Sequence, residues 1–518
     1  ALTPASTRSF PPGFVPWWRS EVRARLGEGG TCRPLGLDEL VIKALAFSPQ
    51  IRAISDDVLI QETAILVAEA NFDWHAFMDS KFIRNSDPVG NLLETGGPPR
   101  LREADWGYTA GMRKRTTLGG AWEFSQRIGT EDSNSRFFVP KQQGNARLAI
   151  SYNQPLMNGA GRASKSSLIL LADIDTNVAM GRPSHLLQDH LLRLTESFWV
   201  LYLQRSLLLQ RRQHLKRAQV VLEQLTRRRE VDALESQILR ATAAVAAREA
   251  ELVRAAATIR NSQARIRVLT NSPEFLQDPY AELIPLDHPS LVRVDVSLSD
   301  ALVTALQYRP EIDSASQEIQ AASVRLRMSR NELMPVLDLV LETYVAGLRG
   351  DVDIGRAFAD QFSVGEPGYT AGLVFEVPLG RRAALAKMRR RRLELRQLTE
   401  QFEEELQTVL TEVEVAVREV SATYGEMLGK YRAMKAAQAD VDYASRRWEV
   451  LPGDDRSASF LLEDLLDAQD RLAIEEYGFA VAQRDYAISL TALNRATGTL
   501  LQQQQIEPVR MCLSLIHI

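Results

Sequence analysis

Leu37-Asp38-Glu39-Leu40-Val41-Ile42-Lys43-Ala44-Leu45-Ala46-Phe47-Ser48-Pro49-Gln50-Ile51 returns as Leu298-Ser299-Asp300-Ala301-Leu302-Val303-Thr304-Ala305-Leu306-Gln307-Tyr308-Arg309-Pro310-Glu311-Ile312. The apolar positions and an Ala-Leu-x-x-x-Pro-x-Ile core keep register between the copies. Each copy leads into the same series: helix, alternating strand, a second strand ending in Pro-Leu, then a very long helical hairpin. Pro155-Leu156 closes the strand region of the first copy and Pro378-Leu379 that of the second. Self-similarity on this scale is the mark of a tandem duplication and must be read before anything else.

Outward from the repeat, residues 37–70 carry an amphipathic helical pattern, with Leu37, Leu40, Val41, Ala44 and Leu45 on one face. From Phe72 the period changes to two. Phe72, Trp74, Ala76, Met78, Ser80 and Phe82 alternate with Asp73, His75, Phe77, Asp79 and Lys81. Leu148, Ile150 and Tyr152 continue this in the second strand of that copy. Val336–Val345 and Tyr369–Val377 are the strands of the other, giving four main strands. Strands of about ten alternating residues suit either a soluble sandwich or a barrel crossing a bilayer. Trp106–Arg115 and Leu118–Arg127 flank the turn Thr116-Thr117-Leu118-Gly119-Gly120 and form an extra pair without a counterpart. The second copy has instead a Gly- and Asp-rich loop from Gly347 to Gly368. Both are expected to be surface-exposed excursions.

The helices then supply an arithmetic argument. Residues 163–229 run out, with Leu194, Phe198, Leu201, Leu208, Leu215 and Leu222 near coiled-coil spacing. Residues 231–270 return, with Val245, Leu252, Ile259 and Ile266 at sevens. The outgoing arm is about 100 Å long and the return about 60 Å. The helix at 37–70, about 50 Å, supplies the difference. The second copy repeats this with 383–450 out, 460–500 back and 298–332 making up the length; Phe402, Leu406, Val409, Val413, Ala416 and Val420 line its outgoing arm. The predicted fold class is α+β. Its organisation is an extended arm at 1–36, a first repeat at 37–270, a Pro-containing linker at 271–297, a second repeat at 298–500 and an irregular tail at 501–518.

The 518 residues are 45% hydrophobic and 25% charged, which favours a folded chain over a disordered one. The net charge of −4 gives no electrostatic reason to expect nucleic acid. Cys32 and Cys512 form neither a disulfide framework nor a zinc site. No apolar run reaches the roughly 18 residues of a spanning helix, so strands must do any membrane crossing. The chain starts at Ala1, and its start is expected to be processed or truncated. The final Met511–Ile518 segment resembles translated adapter sequence and is expected to carry no function.

With the duplication, the two Pro-Leu strand ends, Gln154-Pro155-Leu156-Met157-Asn158-Gly159-Ala160-Gly161-Arg162, and the C-terminal run Leu462-Glu463-Asp464-Leu465-Leu466-Asp467-Ala468-Gln469 ending in Arg495-Ala496-Thr497-Gly498-Thr499-Leu500, the chain resembles the TolC-like outer membrane factors over about residues 37–500. The resemblance implies a homotrimer in the Gram-negative outer membrane. Each copy would give four strands to a twelve-stranded transmembrane barrel, and the helices would form a periplasmic α-barrel. It implies passive conduction for efflux or type I secretion, with no catalysis and no cofactor. The implied partners are a periplasmic adaptor, an inner-membrane pump of RND or ABC type, and outer-membrane lipid.

The resemblance also names residues. Asp464 and Asp467 match carboxylates of the periplasmic constriction, and Asp232 the corresponding position of the first copy. Arg456 sits where the family has a basic latch partner. Arg228, Arg229 and Gly453 lie at the tips expected to meet the adaptor. The gate tyrosine has no clear counterpart; Trp448 is near but out of register. On spacing alone, Asp464 and Asp467 read equally as two solvated acids on one helical face. Arg389-Arg390-Arg391-Arg392 reads as a solvated helix face ahead of a contact with anionic lipid or nucleic acid. His185 and His190 lack ligand spacing. The other reading of the whole chain is a soluble coiled-coil scaffold without channel activity. An enzyme is a distant third, since no catalytic constellation is present.

Overall fold

The computed structural model describes residues 9–26, 31–91, 93, 95–161, 166–230, 233–450, 455–504 and 506. In chain order its elements are α1 (Trp18–Glu21), β1 (Cys32–Leu35), α2 (Leu37–Phe47), α3 (Pro49–Ala70), β2 (Trp74–Pro88), β3 (Arg100–Arg115), β4 (Ala121–Ser133), β5 (Gln142–Pro155), α4 (Ser167–Arg227), α5 (Glu235–Thr270), α6 (Pro273–Gln277), β6 (Glu282–Pro285), α7 (Leu298–Tyr308), α8 (Pro310–Asn331), β7 (Val336–Gly350), α9 (Ile354–Ser363), β8 (Gly368–Glu376), α10 (Arg382–Val450), α11 (Asp455–Ala496) and α12 (Leu500–Gln503). Packing divides the chain into two units. One holds residues 1–59, 180–313 and 403–518; the other holds 60–179 and 314–402. Among the described residues no helix is long and apolar enough to cross a membrane.

The repeat is visible in the element lengths. α2 and α3 have 11 and 22 residues, and so do α7 and α8. The sequence pattern predicts single helices over 37–70 and 298–332; each is broken in two instead. Ser48 and Arg309 both adopt extended ψ, near 120°, because the following proline disfavours the α conformation before it.

The first unit is a layered helical body. Leu194, Phe198, Leu201 and Leu208 of α4, Ile259 and Ile266 of α5, Val420 and Met427 of α10 and Leu462, Leu465 and Leu472 of α11 share one buried core. The spacing of three and four along each helix puts these residues on one stripe. The N-terminal arm packs on this body. The Phe14 ring lies 4.5 Å from Tyr431, Trp18 is fully buried, and Trp17 Nε1 donates to Glu476 Oε1 at 2.9 Å. β1 pairs in parallel with β6 from the linker.

The C-terminal motif has a packing reason. Gly498 takes φ +74°, and a Cβ there would stand 2.6 Å from the Tyr308 carbonyl oxygen, so only glycine lets the chain turn against the α7 end. Arg495 donates to Asp189 at 2.9 Å and approaches His185 Nε2 at 2.8 Å.

The second unit holds a six-stranded antiparallel sheet of order β2-β3-β4-β5-β7-β8. Two expectations are corrected here. The sheet has six strands rather than four, and the extra hairpin is no excursion: β3 and β4 sit inside it, between β2 and β5. The 116–120 segment is the predicted turn, closed by Thr116 N donating to Gly120 O at 2.7 Å. The loop after β7 is likewise no free excursion, since it carries α9 packed on the sheet. A Cβ on Gly347 would stand 2.0 Å from Ala357 O, and one on Gly144 2.9 Å from Asp353. Gln361 of α9 is fully buried, and Gln126 of β4 donates to it at 3.2 Å. Arg389–Arg392 are largely exposed, with Arg390 and Arg391 both donating to Glu394 at 2.7 Å.

Candidate functional site

Register makes one face of the sheet apolar. Directly paired residues of antiparallel strands point the same way. One such row runs Trp74, Lys114, Trp122, Tyr152, Leu341, Ala371 across all six strands. The Trp122 and Tyr152 rings are 4.3 Å apart, and Lys114 Nζ lies 5.5 Å from the Trp74 ring centroid. Eight residues further along β2, Phe82 pairs with Trp106. Between the two rows are Met78, Tyr108, Met112, Phe124, Ile128, Ile150 and Leu148. The rows are about 27 Å apart along the strand, and about 20 Å along a barrel axis at a 40° tilt. An apolar band of that order is what lipid requires of a transmembrane sheet; the row of Phe82 and Trp106 continues as Thr130, Gly144 and Arg349. Met78 and Phe82 are both 69% exposed in the single chain and Tyr369 86%. The opposite face carries Asp79, Lys81, Arg113, Glu123, Arg147 and Glu342, with Arg147 bonded to Glu342 at 2.9 Å.

Asp464 and Asp467 lie on the exposed side of α11, because Leu461, Leu465, Ala468 and Leu472 take its buried stripe. Arg471 continues their face at i+7. Opposite, α10 presents Asp440, Tyr443 and Arg447 at the same spacing. Arg471 donates to Asp440 at 2.8 Å, and Arg447 stands 3.7 Å from the Asp464 carboxylate. Asp440, Tyr443, Arg447, Asp464 and Arg471 line a cleft of about 90 Å³ together with Ala444 and Leu461, with Asp467 one turn from Asp464 on the same face. The hydrogen bond from Arg471 to Asp440, joined by the charges of Asp440, Asp467 and Asp464, raises the pKa of that guanidinium. Three carboxylates therefore face two guanidinium groups. The cluster is of mixed charge, with one net negative charge per copy, rather than a bare pair of acids.

The remaining predicted positions fall as follows. Asp232 and Gly453 lie outside the described residues. Arg456 is in the first turn of α11, and its side chain lies outside them too. Arg228 follows the last residue of α4, its amide donating to Gln224 O at 3.2 Å. Arg229 pairs with Glu235 at 3.2 Å across the first tip. Trp448 is a core residue that donates to Gln224 at 3.2 Å, whereas Tyr443 is the aromatic at the cleft. The sequence reading missed Asp440, Tyr443, Arg447 and Arg471. Their signal was present as matching i, i+3, i+7 polar positions on two antiparallel arms.

Next to this cluster, Asp470 takes part in a more buried knot. Arg248 donates to Asp470 at 2.8 Å, to Gln469 at 2.9 Å and to the His214 carbonyl at 3.1 Å. His214 Nε2 is 3.0 Å from the same carboxylate. Burial lowers the His214 pKa, and the hydrogen bond with Asp470 opposes that shift. Partial burial alone would raise the Asp470 carboxyl, but His214 and Arg248 outweigh it and hold the pKa below its usual value. Six residues on, Glu476 is buried against the arm. Desolvation raises its pKa, opposed by the Trp17 hydrogen bond and by Arg217 at 4.0 Å. A folded-state pKa above the unfolded value gives stability that is present below about pH 4.3 and lost as pH rises through the raised pKa. Glu476→Gln is therefore expected to melt above wild type at pH 8, with the difference closing towards pH 4. Thermal scans in detergent across that range check it; parallel pH curves would contradict it.

Among the described residues no group of three or more His, Cys, Asp or Glu side chains is placed to hold a metal ion. No family model and no curated protein matches the sequence. Solved structures do match the fold. The outer membrane protein VceC of Vibrio cholerae is 14% identical with a TM-score of 0.63, over 89% of this chain and 96% of that one. The CmeC outer membrane channel of Campylobacter jejuni is 12% identical at 0.64, over 93% and 91%. The open MtrE outer membrane channel of Neisseria gonorrhoeae is 15% identical at 0.59, over 90% and 89%. Two helical hairpins interleaved with an antiparallel sheet, matched over nine-tenths of these chains, give this protein the TolC-like outer-membrane-factor fold.

Proposed function

We propose that this chain is the outer-membrane exit duct of a tripartite efflux or type I secretion system in a Gram-negative envelope. Three copies would close the sheets into one barrel in the outer membrane, with the long helices forming a tunnel through the periplasm. Substrates delivered by an inner-membrane pump and a periplasmic adaptor would pass through without chemistry, so no catalytic residue or cofactor is required. The observation that carries this reading is the largely apolar face of the sheet, with Trp74, Trp122 and Tyr152 in one row and Phe82 and Trp106 in another. A soluble scaffold has no reason to expose Met78 and Phe82 on β2 and Tyr369 on the same face of β8, since contiguous exposed apolar surface marks an interaction site.

Asp464 and Asp467, with Asp232 from the first repeat, are assigned to the periplasmic constriction. Arg456 would be its latch, and the tips at Arg228, Arg229 and Gly453 would meet the adaptor. Threefold symmetry would bring the mixed-charge cleft to one axis three times, and a ring with net negative charge favours cations. The test is single-channel conductance of the detergent-purified protein in a planar bilayer. Wild type is expected to give small cation-selective steps. In Asp464→Asn/Asp467→Asn the cation-to-anion permeability ratio should fall roughly 3- to 10-fold. Steps of unchanged selectivity would keep the duct and reject these two residues. A protein that stays soluble without detergent and never inserts would overturn the duct.

A further inference from the structure

We infer that each copy contributes six strands to the barrel, so that the assembled pore has eighteen strands, closed by pairing the β8 edge of one copy with the β2 edge of the next. The inference rests on the proposed duct and deepens it.

Four observations carry it. First, the inserted hairpin is fully laddered. β3 pairs with β2 from Trp74↔Lys114 to Pro88↔Arg100, and β4 pairs with β5 from Ala121↔Asn153 to Asp132↔Gln142. A hairpin lying outside the sheet would leave β2 beside β5. Second, β3 and β4 share the apolar face and its depth. Met112, Phe124 and Ile128 fall within the band, and Trp122 stands in the same aromatic row as Trp74 and Tyr152. Third, α9 holds the insertion in place: it covers part of the same face that carries Met78 and Ile128, where Gln361 bonds to Gln126 of β4 and the helix lies against Gly144 of β5 and Gly347 of β7, leaving its own Phe358 and Phe362 exposed. Fourth, β2 and β8 each have one neighbour among the described residues. Their outer ladder groups cannot face hydrocarbon unpaired.

Parity selects the partner. With six antiparallel strands, β8 runs opposite to β2, so a second copy rotated about the pore axis meets the first with the same antiparallel pairing used throughout. Three copies then complete an even-numbered barrel, as bacterial barrels are. Barrel diameter grows roughly linearly with strand number, so eighteen strands give a lumen about one and a half times as wide as twelve. Barrels of 16–18 strands leave an open aqueous channel. The polar face of the sheet would line it, and the outer mouth would admit bulky hydrated solutes. Size selection is then left to the helical constriction alone.

Single-particle imaging of the detergent-solubilised full chain, viewed along the pore axis, tests this. Eighteen strands are expected. A trimer of twelve strands with residues 100–133 outside the wall would overturn the inference and leave the duct intact. A particle without any shared barrel would overturn both. A second measurement is Ser125→Cys/Ala149→Cys, directly paired across β4 and β5, made in a background with Cys32 and Cys512 replaced by Ser. Oxidation in native membranes should give an intrachain disulfide in most of the protein. Absence of that bond, in protein that still inserts and conducts, would place the hairpin outside the wall.

Discussion

Arg205→Met is expected to destabilise the helical body by about 3–5 kcal/mol and to free the N-terminal arm. Arg205 on α4 has no exposed side-chain surface. Its Nε donates to Val22 O at 3.0 Å, one terminal nitrogen to Ala24 O at 2.6 Å, and the other to the Glu282 carboxylate at 2.5 Å and Leu283 O at 3.4 Å. One planar guanidinium thus ties the arm, the linker and a long helix together. Burial lowers its pKa and Glu282 opposes that shift, but arginine stays charged in a folded protein. Methionine fills much of the volume and donates nothing. Three carbonyls and a carboxylate would then be left short of a donor, and an unpaired buried polar group costs the most. Arg205→Lys should recover less than half of the loss, because a point ammonium cannot reach acceptors arranged for a fork. Thermal scans in detergent and protease sensitivity of residues 9–26 read the effect. A melting curve within a degree of wild type would contradict it.

That anchor was not legible in the sequence. Nothing around Phe198-Trp199-Val200-Leu201-Tyr202-Leu203-Gln204-Arg205 announces which distant carbonyls its arginine will meet, since its partners lie 77 to 183 residues away. The long helices were legible, because heptad spacing is a local signal that tertiary packing reinforces. The predicted outgoing arm at 383–450 and the observed Arg382–Val450 differ by one residue. The strands at Trp74, Gln142, Val336 and Gly368 were legible through their alternation. The place of the inserted hairpin was not. Its alternation announced two strands, but strand order depends on pairings that a periodic pattern leaves open. The reading of 354–363 as loop failed because Gly347-Leu348-Arg349-Gly350-Asp351 and Gly365 advertise turns, while the short helix between them has its Ala357 and Gln361 face completed only by the sheet's glycines. At the acidic site, Asp464 and Asp467 stood out as a local pair. Their arginine and aspartate partners come from the antiparallel arm, one tertiary step removed.

Those partners set up the second large effect. Removing the acids lowers cation preference, so removing the bases from the same cleft must raise it. In Arg447→Gln/Arg471→Gln, Asp440, Asp464 and Asp467 would lose both counter-charges. Each copy would carry three net negative charges in place of one, and a threefold ring nine in place of three. The cation-to-anion permeability ratio is expected to rise about 3- to 10-fold, with the change largest at low salt, where screening is weakest. Stability should change little. Arg447 and Arg471 keep about half of their side-chain surface in solvent, and exposed pairs are worth about 0–1 kcal/mol. A pore role and a purely structural role therefore part company. If the cleft faces the conduction path, the acidic and basic variants shift selectivity in opposite directions at nearly unchanged melting temperature. If it faces bulk periplasm, both variants conduct as wild type does. Bilayer recordings in a potassium chloride gradient on the four proteins (wild type, the two double variants and their combination) distinguish these outcomes, and the combination, with only Asp440 left of the five charges, should lie between the two double variants.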